Sequence, residues 1–291
     1  MRIRDLDWIL ALAEHRHMTT AAAELRVPQP TLSRALGRVE AELDAQIFVR
    51  HSGGLRLTPL GERVALAAKD LTGRYDRLLS EINSQKDPDT GTVRLAFLES
   101  TAAALLPRLL ARFREIAPNV RIVLEQEPAH EIAEDLDTFR ADIGLTSAKP
   151  SGSYGWVPLY IDRLVLAVAR GHRLATQQHT NLSSLQGEAF ITTPLGFGFR
   201  AQTDGLLHDA GVSPEIAFES PDPTTITGLV AAGLGVAIVP AAYAARDDIV
   251  GIDIDAAGAV RRIGMTWRTD VPLPGPAARL QELVAAEFAG A

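Results

Sequence analysis

The stretch from Thr19 to Thr58 restricts this chain more than any other. Ala21, Ala22 and Ala23 are small enough to let one helix lie close against another, and Leu25 and Val27 close that helix and enter a turn. Thr19 or Thr20 is the expected N-cap, its hydroxyl accepting one of the free N–H groups. Pro28 and Pro30 bracket Gln29, and proline is tolerated in a first helical turn because no intrahelical N–H is lost there. A further helix is therefore expected from about 28 to 45. Leu32, Leu36, Val39 and Leu43 recur along it as one apolar stripe. Gln29, Pro30, Thr31, Ser33, Arg34 and Arg38 lie off that stripe, most of them at its N-terminal end. In helix-turn-helix docking this end of the second helix meets base edges in the major groove. Arginine suits guanine there, glutamine suits adenine, and hydroxyls serve either. Thr19 and Thr20, at the head of the preceding helix, join the candidate DNA-binding set. Ile47 to Arg50 and Leu55 to Leu57 read as two short strands around a His51–Ser52–Gly53–Gly54 turn. Arg50 and Arg56 on this wing are placed to contact phosphate, which positions a protein without reading sequence.

The flanks extend the pattern. Leu6, Ile9, Leu10, Leu12 and Ala13 make one face of a helix over Arg4 to His15. Thr58–Pro59 is a cap followed by an N1 proline. Beyond it Val64, Ala67, Leu71, Tyr75, Leu78 and Ile82 recur at helical spacing. At ~1.5 Å per residue, 58–86 makes a rod of roughly 40 Å. Its stripe has no other local segment to pack on, so a second copy of the same helix is the expected partner, the alternative being a rod packed on its own chain.

Charge is divided unevenly. The net charge of −7 disfavours nucleic acid as a partner for the whole chain, but residues 1–86 carry 13 Lys and Arg against 11 Asp and Glu, and the remainder 16 against 25. Such asymmetry points to different partners for the two parts. The absence of cysteine removes thiol nucleophiles, disulfides and Cys-ligated zinc. Ile9 to Ala13 is too short for a signal peptide, and the apolar run Leu229 to Ala245 contains Gly233, Gly235 and Pro240 and reads as helix, turn and strand in a core. A cytoplasmic protein with no membrane partner is expected. His15, His17 and His51 lack metal-ligand spacing. No Gly-x-Ser-x-Gly elbow, phosphate-cradling loop or His/Glu metal pair is present. No catalytic residue, metal or cofactor is therefore expected.

The N-terminal stretch resembles the DNA-binding domain of the LysR-type transcriptional regulators over its full length. The matching residues are Ala21–Ala22 with Leu25 and Val27, Gln29–Pro30, Leu32–Ser33–Arg34, Val39–Glu40 with Glu42–Leu43, Phe48 with Arg50, Gly54 with Arg56–Leu57–Thr58, and Gly61. Pro28 stands where the family usually has serine, and Gly53 where it often has a basic residue. The resemblance implies an α+β winged helix-turn-helix over 1–58, a linker helix and hinge over 59–90 that makes a dimer, and an effector-binding domain over 91–291. It also implies a homotetramer on double-stranded promoter DNA, with RNA polymerase as a further partner open to such a protein.

Ser84 to Gly91 is polar and holds Pro88 and Gly91, marking a boundary. Strands then alternate with helices: Val93 to Leu98, a helix 101–116, 120–125, a helix 130–140, and 142–146. A second set follows: Leu164 to Ala169, Phe190 to Thr193, a helix near 199–210, Ile216 to Glu219, a helix near 223–232, and Val236 to Val239. Arg262 to Trp267 reads as a returning strand and Pro276 to Phe288 as a closing helix. Alternation of this kind argues for parallel sheets with crossover helices. Two α/β lobes are expected, lobe I about 91–161 and 268–291 and lobe II about 162–267, with crossings near 160–163 and 267–269. Leu106–Pro107, Pro118–Asn119–Val120, Ala141 to Leu145 and Leu229 to Pro240 resemble the periplasmic-binding-protein-like effector domain of the same family.

Ligands of open α/β sheets sit outside the carboxyl ends of the strands. Those ends offer Ser100, Thr101, Thr146, Ser147 and Thr193. The starts of later helices add Gly198, Phe199, Arg200 and Thr225. Helix starts favour anions and Arg200 suits a carboxylate, so a small organic acid effector is expected, in agreement with the class the resemblance implies. Glu99 and Glu127 would repel such an anion and are expected to point away. His130 is expected in solvent. The alternatives are a cytoplasmic small-molecule-binding protein without DNA activity, or an enzyme on the same two-lobed fold.

Overall fold

The computed structural model describes residues 1–51, 54–86, 90–102 and 105–288. Ser52 and Gly53 of the wing turn, and residues 87–89 of the polar boundary, lie outside the described residues.

Three helices open the chain: α1 (Ile3–His15), α2 (Met18–Glu24) and α3 (Gln29–Leu43). They enclose a core of Ile9, Leu12, Ala21, Ala22, Leu32 and Val39, closed by Ile47, Phe48 and Leu55 of the wing. Thr19 and Thr20 fall inside the first turn of α2, whose N-cap is His17 with no side-chain cap bond. The wing pairs β1 (Phe48–His51) with β2 (Gly54–Leu57), antiparallel. Glu40 of α3 ties it down, its carboxylate accepting the N–H groups of Ile47 (2.7 Å) and Phe48 (3.1 Å). Gly54 has φ +122°, and a Cβ there would collide with the Arg16 carbonyl. The wing can sit this close to the end of α1 only because a glycine starts β2.

α4 (Pro59–Lys86) begins as the Thr58–Pro59 pair predicts, with Thr58 Oγ1 accepting the Gly61 N–H at 2.9 Å. Val64 packs on the N-terminal core. Leu71, Tyr75, Leu78 and Ile82 remain 42–51% exposed.

The remaining strands form one mixed sheet of eight plus a parallel pair. β3 (Gly91–Phe97) is parallel to both β4 (Val120–Gln126) and β5 (Ile143–Thr146), as alternation predicts. The long strand β6 (Tyr154–Ala169) is antiparallel to each of its own neighbours. β7 (His179–Thr180) and β8 (Ala189–Thr192) follow it, and β8 pairs with β9 (Glu215–Glu219). The second half of β6 lies between β10 (Ala237–Pro240) and β11 (Ile249–Ile254). Its first half runs against β12 (Val260–Arg268).

β6 and β12 are thus the two strands joining the lobes. Gly264 to Thr266 pair with β5 in the first lobe, and the register shifts between Ile263 and Gly264. The return crossing therefore falls at that bulge, a few residues before the expected 267–269. A bulge bends a strand locally, which suits a crossing. Val93, Leu95, Phe113, Ile143, Met265 and Leu280 fill the first lobe. Leu166, Val168, Phe190, Val236 and Ile252 lie in the core of the second.

α4 is seated on the first lobe of its own chain. A Cβ at Gly73 would overlap the Thr138 carbonyl, so this approach requires glycine. Lys69 Nζ meets Glu134 at 2.9 Å. Phe139 takes φ +60°, and the guanidinium groups of Arg74, Arg77 and Arg268 lie 4.8–5.0 Å from its ring centroid.

Candidate nucleic-acid interface and interlobe cleft

Gln29, Pro30 and Arg34 are exposed at the N-terminal end of α3, and Thr31 and Ser33 are half-buried beside them. Arg34 Nε donates to the Pro30 carbonyl at 3.2 Å, holding the side chain along the helix. Arg50 and Arg56 project from adjacent, paired wing strands. Thr19 and Thr20 are exposed on α2. A groove-sized helix end with donors and acceptors, flanked by cations on a wing, is the arrangement that base and phosphate contact require.

Arg38 differs from this set. Its guanidinium is held by Asp5, which is 4% exposed and also accepts the Arg2 N–H at 2.7 Å. Its charge fastens α3 to α1, so Arg38, though half-exposed, carries a structural tie that the other candidate DNA-binding residues lack. Arg38→Ala should destabilise the fold by about 1–3 kcal/mol, because a buried carboxylate loses its cation. Urea unfolding of the variant checks this.

Between the lobes lies a cavity of about 350 Å³, within the usual range for small-molecule sites. Ser100, Thr193 and Phe199 line it as expected. The other expected effector residues stand outside its lining. Thr101 is fully buried and donates to the Leu98 carbonyl at 2.7 Å. Over the expected 101–116 helix the described residues form α5 (Glu99–Ala102) and α6 (Leu106–Ile116), with 103 and 104 outside the described residues. Thr146 is buried in β5 where that strand pairs with β12, and Ser147 follows it. Gly198 only opens α8 (Gly198–Asp209). Thr225 joins the cap of α9 (Pro223–Ala231), its hydroxyl on Asp222 at 2.5 Å. Arg200 is engaged by Asp204 (2.8 Å), Glu219 (2.6 Å) and the Thr193 carbonyl (2.9 Å). Two carboxylates satisfy the guanidinium that sequence alone offers to a ligand.

The cavity's cation is instead Arg261, 7% exposed, paired with Asp162 and lying 5.3 Å from the Phe199 ring centroid. Its Nε has no partner, and neither do Ser100 Oγ and Thr193 Oγ1. Buried polar groups are nearly always satisfied, and the three residues that carry these orphans all line the cavity. Glu99 and Glu127 also line the cavity rather than pointing away, together with Asp222. His130 is exposed as expected, edge-on to Phe197 at 6.2 Å.

The acids differ in charge. Hydrogen bonds from the Thr225 hydroxyl and the Thr224 and Thr225 N–H groups hold Asp222 below the usual carboxylate range. Burial, then the nearby Asp222, raises Glu99. Burial, then Asp135, pushes Glu127 up to about 8. Oxygens of Glu125, Glu127 and Asp135 lie within 4.8 Å of one another, and each of these residues keeps one buried oxygen without a donor. Across the window from 4.5 to about 8, folded Glu127 keeps a proton that the unfolded chain has released. Stability therefore falls as pH rises through that window. Glu127→Gln should melt above the parent at pH 8 by a few degrees, with the difference shrinking toward pH 5. Thermal scans across that range check it.

No described helix is long and apolar enough to cross a membrane. Residues 3–62 match the family model of the bacterial regulatory helix-turn-helix protein, lysR family, and residues 86–289 match the LysR substrate binding domain. The uncharacterized HTH-type transcriptional regulator YybE of Bacillus subtilis is 31% identical over 92% of this chain and 88% of its own length. The DNA-binding transcriptional dual regulator OxyR of Escherichia coli is 28% identical over 100% and 97%. Among solved structures, CbnR, a LysR family transcriptional regulator, superposes with TM-score 0.73 at 26% identity, covering 99% of each chain. Full-length CbnR complexed with its target DNA gives 0.71 at 26%, covering 98% of this chain and 99% of CbnR. These relatives are regulators rather than enzymes. The two domain matches and the agreement in fold along the whole chain place this protein in the LysR family of transcriptional regulators, as a winged helix-turn-helix joined to a two-lobed, periplasmic-binding-protein-like effector domain.

Proposed function

We propose that residues 1–58 read promoter DNA, that 59–90 pair two copies, and that 91–291 hold a small effector between two lobes, the first resuming at Gly264. The exposed end of α3 beside the wing arginines carries this reading. Gln29, Thr31, Ser33 and Arg34 take the bases. Pro30, Thr19 and Thr20 border the groove, and Arg50 and Arg56 take phosphates. The CbnR complex with its target DNA supports the same docking here. Two copies joined along α4 present two such ends to half-sites about one helical turn, ~34 Å, apart or multiples of it, and two such dimers make the tetramer. The site of action is the cytoplasm.

The effector is a small organic acid, its carboxylate facing the orphaned donors of Ser100, Thr193 and Arg261. One relative is named a hydrogen peroxide-inducible genes activator. With no cysteine, this chain cannot sense peroxide through a thiol. Ligand closure of the lobes shifts a population between two arrangements. α4 moves with the first lobe through Gly73, Lys69 and the Phe139 cluster, and the spacing of the reading heads changes with it. A gel shift on the protein's own upstream DNA tests the reading. A complex that resists excess random DNA and weakens steeply with salt is expected. Equal affinity for random DNA would refute it.

A further inference from the structure

The charges around the cleft do not suit an effector that is only an anion. Its lining brings in two carboxylates, Glu99 and Asp222, a third carboxyl, Glu127, that burial and Asp135 keep protonated at neutral pH, and one guanidinium, Arg261, which Asp162 already neutralises. Glu99 stands on the first lobe, at the end of β3, and Asp222 on the second, capping α9. The two face the same cavity from opposite walls. Their mutual repulsion is felt at Glu99, which is raised by burial and then by Asp222. Nothing cationic among the causes acting on Glu99 offsets it.

Asp222 cannot yield by losing its charge. Its three donors, the N–H groups of Thr224 (3.0 Å) and Thr225 (2.9 Å) and the Thr225 hydroxyl (2.5 Å), hold it ionised and fix its direction. The same cavity also has the opposite need, since Arg261 Nε, Ser100 Oγ and Thr193 Oγ1 are buried without partners. Leu98, Phe197, Phe199, Ile226 and Val239 supply apolar surface to the same space.

We propose that the effector is an amino acid with an apolar side chain, its protonated amine bridging Glu99 of the first lobe and Asp222 of the second while its carboxylate meets Arg261, Ser100 and Thr193. This rests on the reading of the cleft as the effector site. The ammonium is the element that closes the lobes. It replaces a repulsion across the cleft with two charge-assisted hydrogen bonds, and both exist only when the walls approach. Such differential contact is what a ligand needs to shift a conformational equilibrium.

The test uses the full-length protein at pH 7 and three matched probes for each carbon skeleton: L-leucine and L-phenylalanine, their amines isoamylamine and phenethylamine, and the acids 4-methylpentanoate and 3-phenylpropanoate. Thermal shift, then calorimetry, reads binding. An amino acid of the set is expected to bind at least tenfold more tightly than its deaminated acid. Glu99→Gln and Asp222→Asn should each remove most of that advantage, while the acid, relieved of a like charge, binds no more weakly than to the parent. Asparagine is a good N-cap, so the second variant keeps α9. Acids binding as well as the amino acids, or Glu99→Gln without effect, would overturn the ammonium site and leave the effector cleft standing. Failure of all three classes to bind would overturn the cleft reading itself, and this inference with it.

Discussion

Arg34→Ala is expected to reduce operator affinity by about 30-fold or more while leaving binding to random DNA and thermal stability nearly unchanged. A good bidentate contact to a base contributes about 1–3 kcal/mol of discrimination, and a dimer makes it at each of two half-sites. The side chain is exposed, and its one intramolecular bond is to the Pro30 carbonyl, so its removal leaves no buried group unpaired. Fluorescence anisotropy on operator and scrambled duplexes measures the split. Arg50→Ala serves as the contrast, since losing a phosphate contact weakens both duplexes alike and lowers the salt slope by about one for each half-site. Equal loss on both duplexes for Arg34→Ala would reassign it to the backbone.

Leu71→Glu together with Leu78→Glu is expected to yield monomers at micromolar concentration. Leu71 is 46% exposed, Tyr75 42%, Leu78 51% and Ile82 42%, all on one face of α4. Taking a half-exposed side chain of this size to full burial contributes about 1 kcal/mol. Four such side chains on each of two copies contribute roughly 8 kcal/mol before the cost of association. Two glutamates per helix would place four carboxylates in that seam. Operator affinity should then fall by at least about 100-fold, because the second reading head no longer binds intramolecularly. Light scattering after size exclusion reads the mass. A variant that remains dimeric would place the interface elsewhere.

Local pattern made much of this architecture legible. The stripe of Leu32, Leu36 and Val39 located α3, and Thr58–Pro59 marked the start of α4 to the residue. What failed was long-range. β11 went unread because Gly251 and Asp253 interrupt its apolar residues, and only its place beside β6 explains the burial of Ile249, Ile252 and Ile254. Arg200 is held partly by Asp204, a local i,i+4 partner that the sequence displays, and partly by Glu219, which arrives from β9. Arg261 gave no local sign, its partner Asp162 lying on the neighbouring strand after a long excursion of the chain. Glu99 and Glu127 were expected to turn away because the cleft was imagined as an anion site alone. The serine and threonine at strand ends divided by partner, Thr101 and Thr146 bonding or packing within the protein and Ser100 and Thr193 lining the cavity with hydroxyls that have no partner. Periodicity carries no information about that difference.

The coupling of cleft to reading heads has a direct measurement: a nuclease footprint on the protein's own upstream DNA, with and without a ligand shown to bind the cleft. The account predicts two protected half-sites on one face of the duplex and a ligand-dependent change in their spacing or in the bend between them. A footprint that is sequence-specific yet identical with the cleft filled and empty would contradict it.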